Sequence, residues 1–95
     1  MSEDEISWGK EWVITTVKKK VELGTDVRWG KEGQDDKDYN FELQIVKDER
    51  IQPIKIPKED LEDFKGDAPK RRNFERRITK LVNSQKWLMV GAGLP

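Results

Sequence analysis

Arg72, Arg76 and Lys80 recur at intervals of four, and on an α-helix that interval returns each side chain to nearly the same face. Three cations in one line attract phosphates, because each phosphate that Lys or Arg neutralises releases condensed counterions. Arg77 flanks the line, and Lys70 and Arg71 precede it. These six residues are the candidate nucleic-acid contacts. The first three cations of the run add a second argument. Lys70, Arg71 and Arg72 fall near the start of the expected helix, where the macrodipole disfavours positive charge. Cations beside free N–H groups suit an anion from outside, such as a phosphate or a partner's carboxylates. Two structural readings compete with this one. In the first, the helix begins later with Asn73 as its N-cap, and the three cations belong to a loop. In the second, Arg71 or Arg72 pairs with acids among residues 59–63.

Other residues suggest chemistry more weakly. Lys18, Lys19 and Lys20 interrupt an apolar segment, where they line the same groove as the stripe or protect an edge strand from aggregation. Trp29 and Trp87 have basic neighbours (Arg28 and Lys31; Lys86). Aromatics among cations can stack the bases of single-stranded nucleic acid. The competing reading is a core Trp with a Lys or Arg stem across its rim. Asp36-Lys37-Asp38-Tyr39-Asn40 imitates the opening of a calcium loop, but Phe41 stands where such a loop needs Gly and Lys47 where it needs a bidentate Glu. The chain has neither Cys nor His. That excludes disulfides, thiolate or imidazole metal sites, and nucleophiles activated by His. No glycine-rich phosphate loop is present, and Gly91-Ala92-Gly93 lies too near the end to open a dinucleotide-binding helix. No catalytic constellation, metal or cofactor is implied, and the expected role is non-enzymatic.

The partner class follows from how charge is distributed. The 95 residues contain 19 Lys and Arg against 19 Asp and Glu, for a net charge of zero. Residues 1–68 carry 12 cations and 18 acids, whereas residues 69–95 carry seven cations and the single acid Glu75. A segment with that surplus points to a small regulatory or nucleic-acid-binding domain that engages DNA or RNA. The alternative is an interaction adaptor or inhibitor. It would dock an acidic protein partner on the same helix, or add an edge strand to a partner's sheet. Pairing of opposite charges between copies would give a homo-oligomer. The acidic opening Met1-Ser2-Glu3-Asp4-Glu5 is unlike a secretion signal, and no apolar run is long enough to span a bilayer, so no membrane partner is expected and the expected location is cytoplasmic.

The elements that must position these residues are legible in the hydropathy pattern. One domain over residues 1–95 is expected, with residues 1–6 and 91–95 as tails. The β-branched run Trp12-Val13-Ile14-Thr15-Thr16-Val17 reads as a strand, with Val13, Thr15, Val17, Val21 and Leu23 alternating along it and Lys19 breaking the apolar face. The alternative is a helix, since Trp8, Trp12, Thr16 and Lys20 step by four, but it spreads the other apolar residues around most of the helix. Gly24-Thr25-Asp26 would turn it into a hairpin with Val27-Arg28-Trp29, and residues 30–38 read as a loop. Tyr39, Phe41, Leu43 and Ile45 alternate with polar residues and mark the clearest strand. Asp48-Glu49 connects it to residues 51–56, where Pro53 requires an edge or a bulge. Pro57 fits the start of a short helix that buries Leu61 and Phe64 and ends near Gly66. Phe74, Ile78, Leu81 and Val82 form one apolar face of a longer helix. Lys86–Val90 reads as a last strand or an extended tail. The fold class is therefore α+β, an antiparallel sheet of three to five strands followed by a short helix and a longer basic amphipathic helix.

Overall fold

The computed structural model describes residues 2–22, 24–34 and 39–85, with side chains described for residues 4–22, 24–30 and 40–85. The fold is α+β. Helix α1 (Ser2–Lys20) leads into β1 (Asp26–Gln34), β2 (Tyr39–Lys47) and β3 (Arg50–Pro57), and then into α2 (Lys58–Asp63) and α3 (Ala68–Ser84). The sheet is antiparallel with β2 in the centre. Residues 86–95, with Trp87 and the expected last strand, lie outside the described residues, as do residues 35–38 of the calcium-like stretch.

The first segment corrects the strand expected there. It is a helix, and it starts at Ser2, inside the expected tail. Gly9, Val13, Val17 and Val21 are buried, with Thr16 beside them, while Thr15 is exposed. The period is thus 3.6 and not two. Each β-branched residue costs a helix a few tenths of a kcal/mol. Each buried valine recovers about 1.5–3 kcal/mol, so packing overrides propensity. The ends favour the helix as well. Glu3, Asp4 and Glu5 lie in its first turns, and Lys18, Lys19 and Lys20 form its last turn, the signs that the macrodipole prefers. The hairpin expected at Gly24-Thr25-Asp26 is instead a helix-to-strand turn. Gly24 adopts φ +94° there, and Thr25 N–H donates to the Glu22 carbonyl at 3.0 Å.

The sheet follows the expected alternation. Val27, Phe41, Leu43, Ile45, Ile54 and Ile56 face one side and join Val13, Val17, Leu61, Phe64, Phe74, Ile78 and Val82 in a single core. All three helices therefore cover the same face. Residues 30–34, expected as loop, continue β1 past a bulge between Trp29 and Glu32. Asp48 (φ +50°) and Glu49 (φ +67°) make the two-residue hairpin turn that aligns Lys47 with Arg50. Trp12 joins the helices, its ring centroid 4.9 Å from Phe64 and 5.6 Å from Phe74.

Both long helices end at the same end of the sheet. Trp8 and Trp12 of α1 meet Arg71 and Phe74 of α3. Farther along, Glu22 pairs with Lys47 at the close of β2. On the other side, Arg77 reaches Lys55, and Lys80, Leu81 and Ser84 share a groove with Gln52, Pro53 and Ile54 near the start of β3. The Lys47/Arg50 hairpin is thus approached by the C-terminal halves of α1 and α3.

Candidate functional site

Helix α3 is built as its apolar spacing requires. Phe74, Ile78 and Val82 are buried, and Leu81 is half-buried beside them. It starts earlier than an Asn73 cap would allow. Asp67 is the N-cap, its carboxylate accepting from the Lys70 N–H at 3.0 Å, and Pro69 sits in the first turn. Lys70, Arg71 and Arg72 are therefore helical residues at the unfavourable end of the dipole, and the fold itself answers two of them.

Lys70 Nζ lies 2.7 Å from the Asp63 carboxylate and 3.2 Å from Asp60, both on α2. The hydrogen bond to Asp63, followed by Asp60, holds the ammonium above its ordinary range, against a partial burial that acts the other way. Arg71 donates from Nη1 to the carbonyls of Phe64 and Lys65, the latter at 3.2 Å. Phe64 is the C-cap of α2 and Lys65 follows it, so both carbonyls lie just past the end of that helix, where no further turn supplies them with donors. The Arg71 guanidinium also stands 5.9 Å from the Trp8 ring centroid. The negative end of α2 thus meets the positive residues that open α3. Lys70 and Arg71 therefore have partners within the fold, and the cation that meets the acids of α2 is Lys70, where the competing reading placed Arg71 or Arg72.

The other four cations face outward. Arg72, Arg76, Arg77 and Lys80 are all exposed. Arg77 Nη2 donates to the Lys55 carbonyl at 3.3 Å. Arg72, Arg76 and Lys80 have no hydrogen bond or ion pair among the described residues. At about 1.5 Å of rise per residue the three span ~12 Å, with ~6 Å between neighbours. Glu75 is the one acid on the helix, and it is half-buried. The structure therefore divides the six candidates into two that brace α2 against α3, one that touches the sheet edge, and three that form an open line.

The remaining candidates fall elsewhere. Lys18 and Lys19 are exposed at the end of α1, a helix and not the edge strand that was expected to need them. Trp29 is half-buried, edge-on to Phe41 at 6.2 Å, with Lys10 Nζ 5.6 Å from its ring and 4.3 Å from that of Phe41. That is the core reading of Trp29, although its cation comes from α1 and not from a chain neighbour. The outer sheet face carries a polar ladder. Arg28 lies 3.6 Å from Asp26 and donates to Gln44 at 3.3 Å, and Gln44 donates to Glu42 at 2.7 Å.

The edge of β3 is blunted. Pro53 and Pro57 lack an N–H, which suits ladder positions that face away from β2. Lys55 has the same parity, and its carbonyl is taken by Arg77. Gln52 Nε2 covers the Pro53 carbonyl at 3.1 Å. Such an edge is a poor template for a partner strand. Among the described residues, no helix is long and apolar enough to cross a membrane, and no group of three or more acids is placed to hold a metal ion. In comparisons with known proteins, no family model, no curated protein and no solved structure matches this chain.

Proposed function

We propose that the protein is a non-enzymatic nucleic-acid-binding module that contacts phosphates through α3. Arg72, Arg76 and Lys80 make the contacts, Arg77 flanks them, and Lys70 and Arg71 hold the helix in place. The observation that carries this reading is the open line itself. Three exposed cations recur at i, i+4 and i+8, with no partner among the described residues. They sit on a helix whose opposite face is locked into the core. A rigid helix presents its charges without the ordering cost that a loop would incur on binding.

Titration of labelled DNA and RNA against salt tests the reading. The three contacts on α3 by themselves contribute about −2.7 to the slope of log affinity on log salt for a duplex and about −2 for a single strand, so the measured slope should be at least that steep. Arg76→Ala should weaken binding to all sequences alike and reduce the slope by about one. No detectable binding at ~50 mM salt, or binding indifferent to salt, would remove the basis of the proposal. Capture of an acidic protein that survives nuclease treatment, by wild type but not by Arg76→Ala, would assign the same line to a protein partner instead.

A further inference from the structure

We infer that the nucleic acid is double-stranded and is held through the phosphates of both strands, with Lys18 and Lys19 of α1 as a second row beside the line on α3. This rests on the reading of α3 as a phosphate-binding helix and extends it to a class of partner and two further residues. Lys18 and Lys19 are exposed and have no partner among the described residues. At 100° per residue, Lys19 projects within about 20° of both Trp8 and Trp12, the flank of α1 that meets Arg71 and Phe74 of α3. Lys18 lies about 100° further round, on the outer side away from α3, so Lys19 is the nearer of the two to the α3 line. Because α1 and α3 cover one sheet face and finish at the same end, these two lysines and Lys80 belong to the same end of the helical layer.

Two features favour a duplex over a single strand. Axes of packed helices lie ~8–10 Å apart, so cations on α1 are displaced sideways from the row on α3. A single backbone tracking α3 leaves them unused, whereas a double helix offers a second row of phosphates across a groove. Single strands are gripped by aromatic platforms on which bases stack. Among the described residues, no aromatic side chain shares the exposed line on α3. Trp8 is exposed, but Arg71 stands over its ring, and it lies about three helical turns from Lys19, toward the opposite end of α1. Trp12 is packed between Phe64 and Phe74, and Trp29 lies against Phe41. The outer sheet face, another surface on which bases could lie flat, carries Arg28, Glu42 and Gln44 bonded to one another.

The test compares duplex DNA, duplex RNA and a single strand of one sequence, using wild type and the double variant Lys18→Gln/Lys19→Gln. Five contacts predict a duplex slope of about −4.5, falling to about −2.7 in the double variant, with affinity about 60-fold lower at ~0.1 M salt. The single strand should bind more weakly and be indifferent to the double variant. The two duplex arms identify which sugar the surface accepts. Circular dichroism and a melting curve of the double variant establish that it is folded. A single strand bound as tightly as the duplex, or a duplex slope unchanged in the double variant, overturns this inference but leaves the α3 reading intact if Arg76→Ala still weakens binding. Failure of all three nucleic acids to bind overturns both.

Discussion

Replacing Gly9 by Ala separates local helix preference from packing, because the two predict opposite signs. Gly9 lies inside α1, and an alanine in an open helix should stabilise it by about 1 kcal/mol. Here a Cβ at residue 9 would stand 2.3 Å from the Leu61 carbonyl oxygen and 3.0 Å from the carbonyl carbon. A normal van der Waals contact between these atoms is longer by roughly 1 Å, so the backbones of α1 and α2 must separate by about that much. No side-chain rotation relieves the contact, since the obstructing atom belongs to the main chain. Leu61 is fully buried, and Phe64 of the same helix packs on Trp12 at 4.9 Å and on Phe74 at 5.3 Å. A gap of 0.5–1 Å forfeits a quarter to a half of each contact it opens. Overpacking of this kind costs about 1–3 kcal/mol. Because the nearest obstructing atoms are all main chain, the cost falls in the upper part of that range, ~2–3 kcal/mol. Net of the propensity gain, Gly9→Ala should destabilise by about 1–2 kcal/mol, which lowers Tm by roughly 5–15 °C in a domain of this size. Urea unfolding followed by tryptophan fluorescence measures this, with the m-value expected to stay constant. Gly66→Ala is the control. Nothing lies within 4 Å of a Cβ built there, and its effect should remain within about 0.5 kcal/mol. A Gly9→Ala protein as stable as wild type, or more stable, would refute the close crossing of α1 over α2.

Two further substitutions probe the junction between α2 and α3. Asp67→Ala removes the N-cap of α3 and should cost about 1 kcal/mol, whereas Asp67→Asn keeps a capping oxygen and should stay close to wild type in the same urea titration. Lys70→Met leaves Asp60 and Asp63 without their ammonium; the groups are part-exposed, so the expected loss is about 1 kcal/mol or less, and it should shrink in high salt. The pH dependence has a definite sign. Folding raises the Lys70 pKa. Its contribution is therefore complete below the unfolded value of about 10.4 and disappears as pH rises through the folded value. The stability gap between wild type and Lys70→Met should stay constant from neutral pH to about 9 and close only in more alkaline solution. A gap that closes below pH ~9 would contradict the assignment of the raised pKa to this cluster.

Much of the fold was legible in the chain because the signals there were short-range and unambiguous. The alternation from Tyr39 to Ile45 describes β2, Pro53 falls on an edge strand, and the spacing of Phe74, Ile78 and Val82 describes α3. Helix α1 was misleading for a physical reason. Val13, Val17 and Val21 are four apart, a spacing that satisfies both a period of two and a period near 3.6. The β-branched neighbours then tip a local reading toward strand, while the deciding contacts come from Leu61, Phe64 and the sheet, many residues away. A readable signal did exist in the acids that open the helix and the lysines that close it. At the site, the outward line of Arg72, Arg76 and Lys80 followed from helical geometry alone. The engagement of Lys70 and Arg71 did not. It depends on where the end of α2 is placed against the start of α3, a matter of tertiary geometry.

The open line also carries an energetic cost. Like charges at i and i+4 destabilise a helix by about 0.2–0.5 kcal/mol per pair. Arg72 with Arg76, and Arg76 with Lys80, make two such pairs, and among the described residues none of the three is compensated by an acid. Lys70 and Arg71 show how this molecule treats cations that serve the fold, for it gives them carboxylates and carbonyls. A line selected for helix stability alone would alternate in sign. Arg76→Glu makes that change and converts both repulsive pairs into attractive ones. The swing is twice the pair energy for each of two pairs, about 0.8–2 kcal/mol in total, toward the lower end in ordinary buffer because the side chains are exposed. The variant should therefore melt higher than wild type and lose nucleic-acid affinity beyond what Arg76→Ala loses. Differential scanning calorimetry and the salt titration read the two effects independently. A variant that is destabilised would mean that Arg76 has a partner within the fold. A stabilised variant that binds as well as wild type would mean that the line is merely solvated surface.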